Sequence, residues 1–238
     1  MTETTVADAL SCLQLARLAH FTPARNLWHL LEDGEIRSSK DLAERAPEYF
    51  SPTDRQRFDR HPDKVCCSFQ YPNGYYLAQA KSNPEYRNYP EWVCFLLDVE
   101  LLLTPRTLFC GCNAARGGGA YVLAGGQALL GCFANPSQPG GWARGARHHP
   151  GAATDLQAEA LVPGPISLSH LRGIVVRSDD LAQELYGDLD RHGLAPGRYR
   201  WIMAPALFDK FTLSNRVRYG GVIEETVWTP AADDQGLD

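Results

Sequence analysis

The sequence contains no run approaching the roughly 20 apolar residues that a membrane-crossing helix needs, and its opening, Met1 to Asp8, is acidic where a secretory leader would be basic. Both absences lead to an expected cytosolic location. Positive charge is not in excess: 28 acidic against 23 basic side chains leave a net charge of −5. That balance excludes a chain built to coat a long polyanion, because such binding scales with the phosphates that Lys and Arg neutralise. The sequence has no His-Glu-x-x-His, no Cys-x-x-Cys, no Gly-x-Gly-x-x-Gly and no phosphate loop ending in Gly-Lys-Ser/Thr. Ser68 and Ser178 stand outside nucleophile-elbow contexts. Zincin, dinucleotide-fold, P-loop and serine-hydrolase chemistry therefore find no foothold.

Cysteine is present, but not as a disulfide framework. Seven residues, an odd count, sit in a 238-residue chain long enough to stabilise itself by its core. Cys66, Cys67 and Cys94 lie inside apolar runs and read as core thiols. Cys110-Gly-Cys112 followed by Cys132 offers three sulfurs, yet the one-residue spacer departs from zinc-ligand spacing and no fourth partner is close in sequence. No metal is assigned.

With 44% hydrophobic and 21% charged residues the chain is of globular composition, and one domain over 1–238 is expected. Leu15 to Thr22 ends as a strand, and a helix follows from Pro23 to a stop at Gly34, with Thr22 as a cap candidate. Val65–Tyr71 and the nearly all-apolar Trp92–Val99 read as strands, the second as one buried on both faces. Leu108–Cys110, Gln157–Pro163 and Ile174–Arg177 add short strands, and Ser178 opens a helix to about Leu189. A short helix is expected within 205–213. Residues 111–154, rich in Gly and Pro with one apolar island at Ala128–Phe133, read as a long flexible loop facing substrate. The tail from about 229 to 238 reads as frayed. Helices and short strands mix without a regular βαβ alternation, so the fold class is α+β.

Several polar residues fall in suggestive places. In an extended chain His20 and Thr22, two apart, share the face opposite Phe21. Glu159 lies in an apolar alternating segment, where a carboxylate either points to solvent from a sheet edge or lines a site. His20 reads either as a hydrogen-bonded structural residue or as a ligand contact. Arg57 belongs to a mixed charge run, ordinarily solvated surface.

Taken in order, these segments resemble the DarT family of DNA ADP-ribosyltransferase toxins. His20-Phe-Thr22, Asn26, Leu27, Gly34 and Ser39 resemble its first nicotinamide-binding segment, and Arg57-Phe-Asp59 its arginine region. The run from Val65 to Pro72-Asn73 resembles a strand and turn of one branch, and Gln157-Ala-Glu-Ala-Leu-Val-Pro163 the segment with the catalytic glutamate. The resemblance implies a split β-sheet core with peripheral helices. It also implies NAD-dependent pentosyl transfer of ADP-ribose to a base in single-stranded DNA, in a toxin or phage-defence effector countered by a macrodomain antitoxin that reverses the mark. Under it Glu159 and Arg57 are catalytic, while His20, Thr22, Asn26, Gly34, Ser39 and Arg57 hold NAD. Tyr71, Tyr75 and Tyr76 offer stacking surfaces, and Arg144, Arg147, His148 and His149 offer phosphate contacts. An acceptor in RNA or protein, and a nucleotide-binding module without turnover, are the competing readings.

Overall fold

The computed structural model describes residues 4–45, 58–84 and 89–231. Its centre is β4 (Trp92–Asp98), whose first six residues are buried, as befits an apolar strand with neighbours on both edges and layers on both faces. On one edge β4 pairs antiparallel with β1 (Arg17–Pro23) along all seven residues, and on the other with β9 (Leu171–Val176). Beyond β9 lie β10 (Trp201–Met203), parallel to it, and the antiparallel β11 (Thr226–Trp228). Beyond β1 come β3 (Lys64–Phe69), β7 (Glu159–Pro163), β5 (Leu108–Cys110) and β6 (Val122–Ala124), which completes a nine-stranded mixed sheet. A separate pair joins β2 (Glu35–Ile36) to β8 (Ile166–Ser167). The α+β class expected from the element order is the class observed.

The sheet is split where it matters. β1 and β3 pair only at Leu18–Phe69 and Ala19–Ser68, whereas β1 stays paired with β4 as far as Pro23. Past Ala19 the β1–β3 ladder stops, and the His20 imidazole bridges to β3 through a 2.9 Å contact between Nδ1 and the Cys66 carbonyl.

The helices are bounded by local chemistry. α1 (Val6–Ser11) begins at a capping box in which Thr5 accepts from the Asp8 N–H and Asp8 accepts from Thr5. α2 (Leu27–Asp33) follows a 3-10 turn at Ala24–Asn26 and stops at Gly34, whose φ of +71° is the left-handed conformation that closes a helix. The expected cap at Thr22 is corrected here: Thr22 belongs to β1, and its hydroxyl accepts a 2.9 Å hydrogen bond from the Asn26 carboxamide. α3 (Ser39–Arg45) and α4 (Gly74–Ser82) follow, the latter capped by Asn73. α5 (Gly126–Cys132) takes up the apolar island of the Gly-rich stretch, packing so closely on α1 that a Cβ at Gly126 would stand 2.2 Å from the Thr5 carbonyl oxygen. Ordered strand and helix thus occupy part of 111–154, because Leu129 and Cys132 have core to fill. α6 (Asp179–Arg191) starts at Ser178 and lies over Trp201 and Trp228 through Tyr186. In place of a short helix within 205–213, a 3-10 turn at Pro205–Phe208 leads into α7 (Lys210–Tyr219), capped by Asp209 and closed by Gly220.

Candidate active site

The broken β1–β3 ladder floors a cleft of about 1530 Å³, counted out to its open mouth. β1 supplies His20 and Thr22, the following turn Asn26, and α3 contributes Ser39. β3 adds Lys64, Cys66 and Ser68, and Glu159 enters at the first residue of β7. A strand end places a side chain at the rim of a sheet, and the register sets Glu159 between Ser68 of β3 and Cys110 of β5. Of the two readings open for Glu159, solvent-facing or site-lining, the structure gives the second: the residue is 9% exposed and lines the cleft. One oxygen, Oε2, accepts a 2.8 Å hydrogen bond from the Ala114 N–H. A backbone donor fixes the carboxylate without neutralising it, which suits a group meant to meet developing positive charge.

The same cleft holds uncharged polar groups beside charged ones. Burial lowers the pKa of His20, so its imidazole is uncharged at neutral pH and donates or accepts rather than repels a cation. Thr22 is buried and tied to Asn26, which orders both polar groups. Ser39 donates to the Pro62 carbonyl at 3.2 Å. Lys64, only 4% exposed, lines the same space with its ammonium 3.0 Å from Asp63. This donor set fits NAD: hydroxyl, carboxamide and imidazole groups for a nicotinamide amide and ribose, and a cation for pyrophosphate. Gly34 does not line the cleft; it ends α2, and its carbonyl accepts from the Leu168 N–H. Arg57 lies outside the described residues.

The residues read as nucleic-acid contacts divide. Tyr76 lines the main cleft beside Phe21. Tyr71 and Tyr75 line a second, smaller cleft of about 350 Å³ between α4, α7 and residues 152–158. Arg144 is spent internally: its guanidinium donates to the carbonyls of His149, Pro150 and Ala152 at 2.8–3.0 Å. His148 is buried, its Nε2 3.0 Å from the Ala153 carbonyl, and burial first, then Arg144, lowers its pKa to about 4. The His149 ring sits edge-on to Tyr71, and its Nδ1 accepts from the Gly151 N–H. Arg147 alone of this group is exposed. These side chains shape the segment leading into Glu159.

Three lining features escaped the sequence reading. Lys64 carried a signal, a lone charge opening an apolar strand. The Ala114 N–H carried none, because backbone donors look alike in sequence. Asn73, in the turn before α4, is 1% exposed and lines the cleft; its Oδ1 caps the helix by accepting from the Tyr76 N–H at 3.0 Å, while its Nδ2 is buried with no partner among the described residues. Leaving a buried amide donor unmade costs roughly 1–3 kcal/mol, so an unpaired donor in a cleft wall calls for a functional explanation. Beneath the site the Cys110 and Cys112 thiols lie 3.7 Å apart, and no group of three metal-binding side chains occurs among the described residues.

Comparison with known proteins agrees with this geometry. Residues 19–202 match the family model described as DarT, ssDNA thymidine ADP-ribosyltransferase. No curated protein is significantly similar. Among solved structures, DarT of Thermus sp. 2.9 in complex with ADP-ribosylated ssDNA superposes with a TM-score of 0.58 at 16% identity, covering 87% of this chain and 100% of that one. The same DarT in complex with NAD+ gives 0.51 at 17% identity over 76% and 91%. Thermosipho africanus DarTG in complex with ADP-ribose gives 0.56 at 14% identity, covering 81% of this chain and 51% of that longer one. At such identities the superpositions establish a shared fold, and the family model, spanning most of the sequence, establishes that this chain belongs to the DarT family.

Proposed function

We propose that this chain is an NAD-dependent ADP-ribosyltransferase whose acceptor is a base of single-stranded DNA, the thymidine base named for its family, with Glu159 as the catalytic carboxylate. The observation that carries the reading is a buried carboxylate, held by the Ala114 N–H, in one cleft with His20, Thr22 and Asn26.

Bound NAD supplies an ADP-ribose whose bond to nicotinamide is the one broken. His20, Thr22 and Asn26 orient the nicotinamide end, and Ser39 and Lys64 meet the remainder, with the Lys64 ammonium assigned to pyrophosphate oxygens. Glu159 lies where positive charge grows on the ribose as the bond lengthens. Its interaction strengthens toward the transition state, and that difference, not ground-state affinity, accelerates the reaction. Burial of Glu159 matters because a charge pair shielded from solvent is stronger than the same pair in water. A single-stranded acceptor avoids the unpairing cost that duplex would impose. We assign Arg57 to the same machinery from the family resemblance.

The DarTG relative supports pairing of such a toxin with an antitoxin; we assign that role here to a macrodomain protein that removes the mark. Mass spectrometry of oligonucleotides after incubation with NAD tests the function. One ADP-ribose added at a thymidine is the expected result, and label on RNA or protein with none on DNA would refute the acceptor.

A further inference from the structure

The orphaned Asn73 donor lies where the two clefts meet. Asn73 lines the Glu159 cleft, whereas its neighbours Pro72, Gly74 and Tyr75 line the smaller one, and Ala158 and Glu159 divide between the two in the same way. The turn is a wall one residue thick. On its far side runs α7, whose Lys210 and Ser214, one turn apart, line the smaller cleft, with Arg218 a further turn along the helix. α7 carries three cations and no acid, and its capping Asp209 is engaged by the Thr212 N–H. Arg218 lies over the ring of Trp142, 62% exposed, and Lys210 over Tyr75 and over Phe211, 73% exposed. Among the residues lining the smaller cleft, Asp155 is the acid. Cations interleaved with exposed aromatic rings form the surface a single strand takes, phosphates on the cations and bases on the rings. A single strand lying on that face would present a base to Glu159 past the rim formed by the Asn73 turn.

We propose that Asn73 reads the acceptor base, its Nδ2 donating to a ring carbonyl oxygen of the pyrimidine presented to Glu159. The inference rests on the proposed DNA-base acceptor. The carboxamide is fixed before substrate arrives, because Oδ1 is committed to the Tyr76 N–H and the Asn73 N–H to the Ser68 hydroxyl oxygen. Only one face of the amide remains to be matched. A site that buries a donor for a substrate carbonyl discriminates strongly against a base presenting a donor or a weaker acceptor there, since the buried group is then left unpaired. Where the oxygen read is O4, cytosine, whose exocyclic amine stands at that position, is rejected on that ground; where it is O2, the two pyrimidines are accepted alike.

The test uses Asn73→Ser, which keeps a cap for α4 while removing the amide donor, and Asn73→Asp, which keeps the cap and replaces the donor by an acceptor. Transfer to a thymidine oligonucleotide should fall about tenfold or more in Asn73→Ser and further in Asn73→Asp, with NAD affinity by calorimetry within twofold of the parent. Replacing the target thymine by 4-thiothymine or 2-thiothymine weakens one acceptor at a time. One of the two should slow the parent several-fold, and Asn73→Ser should be indifferent to that same change. Parental transfer by Asn73→Ser, an equal thio effect in parent and variant, or a matching loss of NAD affinity would overturn the assignment. If the parent modified no DNA base under any condition, the failure would lie with the proposed function instead.

Discussion

Two regions flank the turn at Asn73 and are built on opposite physical principles. In the cleft the groups assigned to the chemistry are each held by a partner: Glu159 by a backbone N–H, Thr22 by Asn26, and His20 against a strand carbonyl. On the α7 flank the cations are half-buried against aromatic rings, Lys210 on Tyr75 and Phe211 and Arg218 on Trp142, with the exposed Arg147 beside the end of the helix. A buried, anchored charge lowers a barrier; cations set among exposed aromatic rings recruit a polyanion. A chain of net charge −5 can therefore handle single-stranded DNA, because the local surface and not the total decides.

Changes on either side should separate accordingly. Apart from the carboxylate itself, the largest effect is expected from Arg144→Ala, which strips donors from three carbonyls in the segment that leads to Glu159. Loss of charge-assisted hydrogen bonds of this kind costs about 3 kcal/mol, so thermal denaturation should show a markedly lower Tm; an unchanged Tm would mean the segment holds itself. His20→Ala should raise the KM for NAD about tenfold, the equivalent of one lost hydrogen bond, while leaving the KM for the oligonucleotide within twofold. Equal increases in both would erase the distinction between the two regions.

The pH dependence of stability singles out the segment between them. The pKa of His148 is lowered to about 4 in the fold, against about 6.5 when unfolded. The unfolded chain thus binds the extra proton first as pH falls. The stabilisation is complete above pH 6.5, shrinks as pH drops toward 4 and changes no further below that. Allowing for solvent screening it is worth about 1–2 kcal/mol, and urea melts at pH 7 and pH 4.5 should differ less in His148→Gln than in the parent. The smallest change belongs to the α7 flank. Lys210→Ala with Arg218→Ala should raise the oligonucleotide KM a few-fold and flatten its salt dependence by about 0.7 logarithmic units for each phosphate no longer neutralised, with NAD affinity unaltered.

Much of the catalytic side was legible in the sequence. His20 and Thr22 two apart on a strand, a glutamate in an apolar alternating segment, and the all-apolar β4 are patterns that side-chain chemistry writes directly. The interruption of the β1–β3 ladder after Ala19 was not, because strand divergence is a tertiary property with no local code. β10 and β11, three residues each, are too short for a period and owe their place to Trp201 and Trp228 packing around Tyr186. The helix inside 111–154 was masked by its glycines, one of which is there because α1 leaves no room for a side chain. Arg144 and His148 read as surface cations, since nothing in sequence reveals that their partners are carbonyls within ten residues.

The most direct measurement is a single-turnover comparison of the parent with Glu159→Gln, an isosteric loss of charge, in which NAD affinity and ADP-ribose transfer to single-stranded DNA are read separately. The expected result is NAD binding within a few-fold of the parent with transfer reduced at least a hundredfold, the scale of one preorganised electrostatic interaction. Transfer at the parental rate by Glu159→Gln would contradict the role assigned to the buried carboxylate.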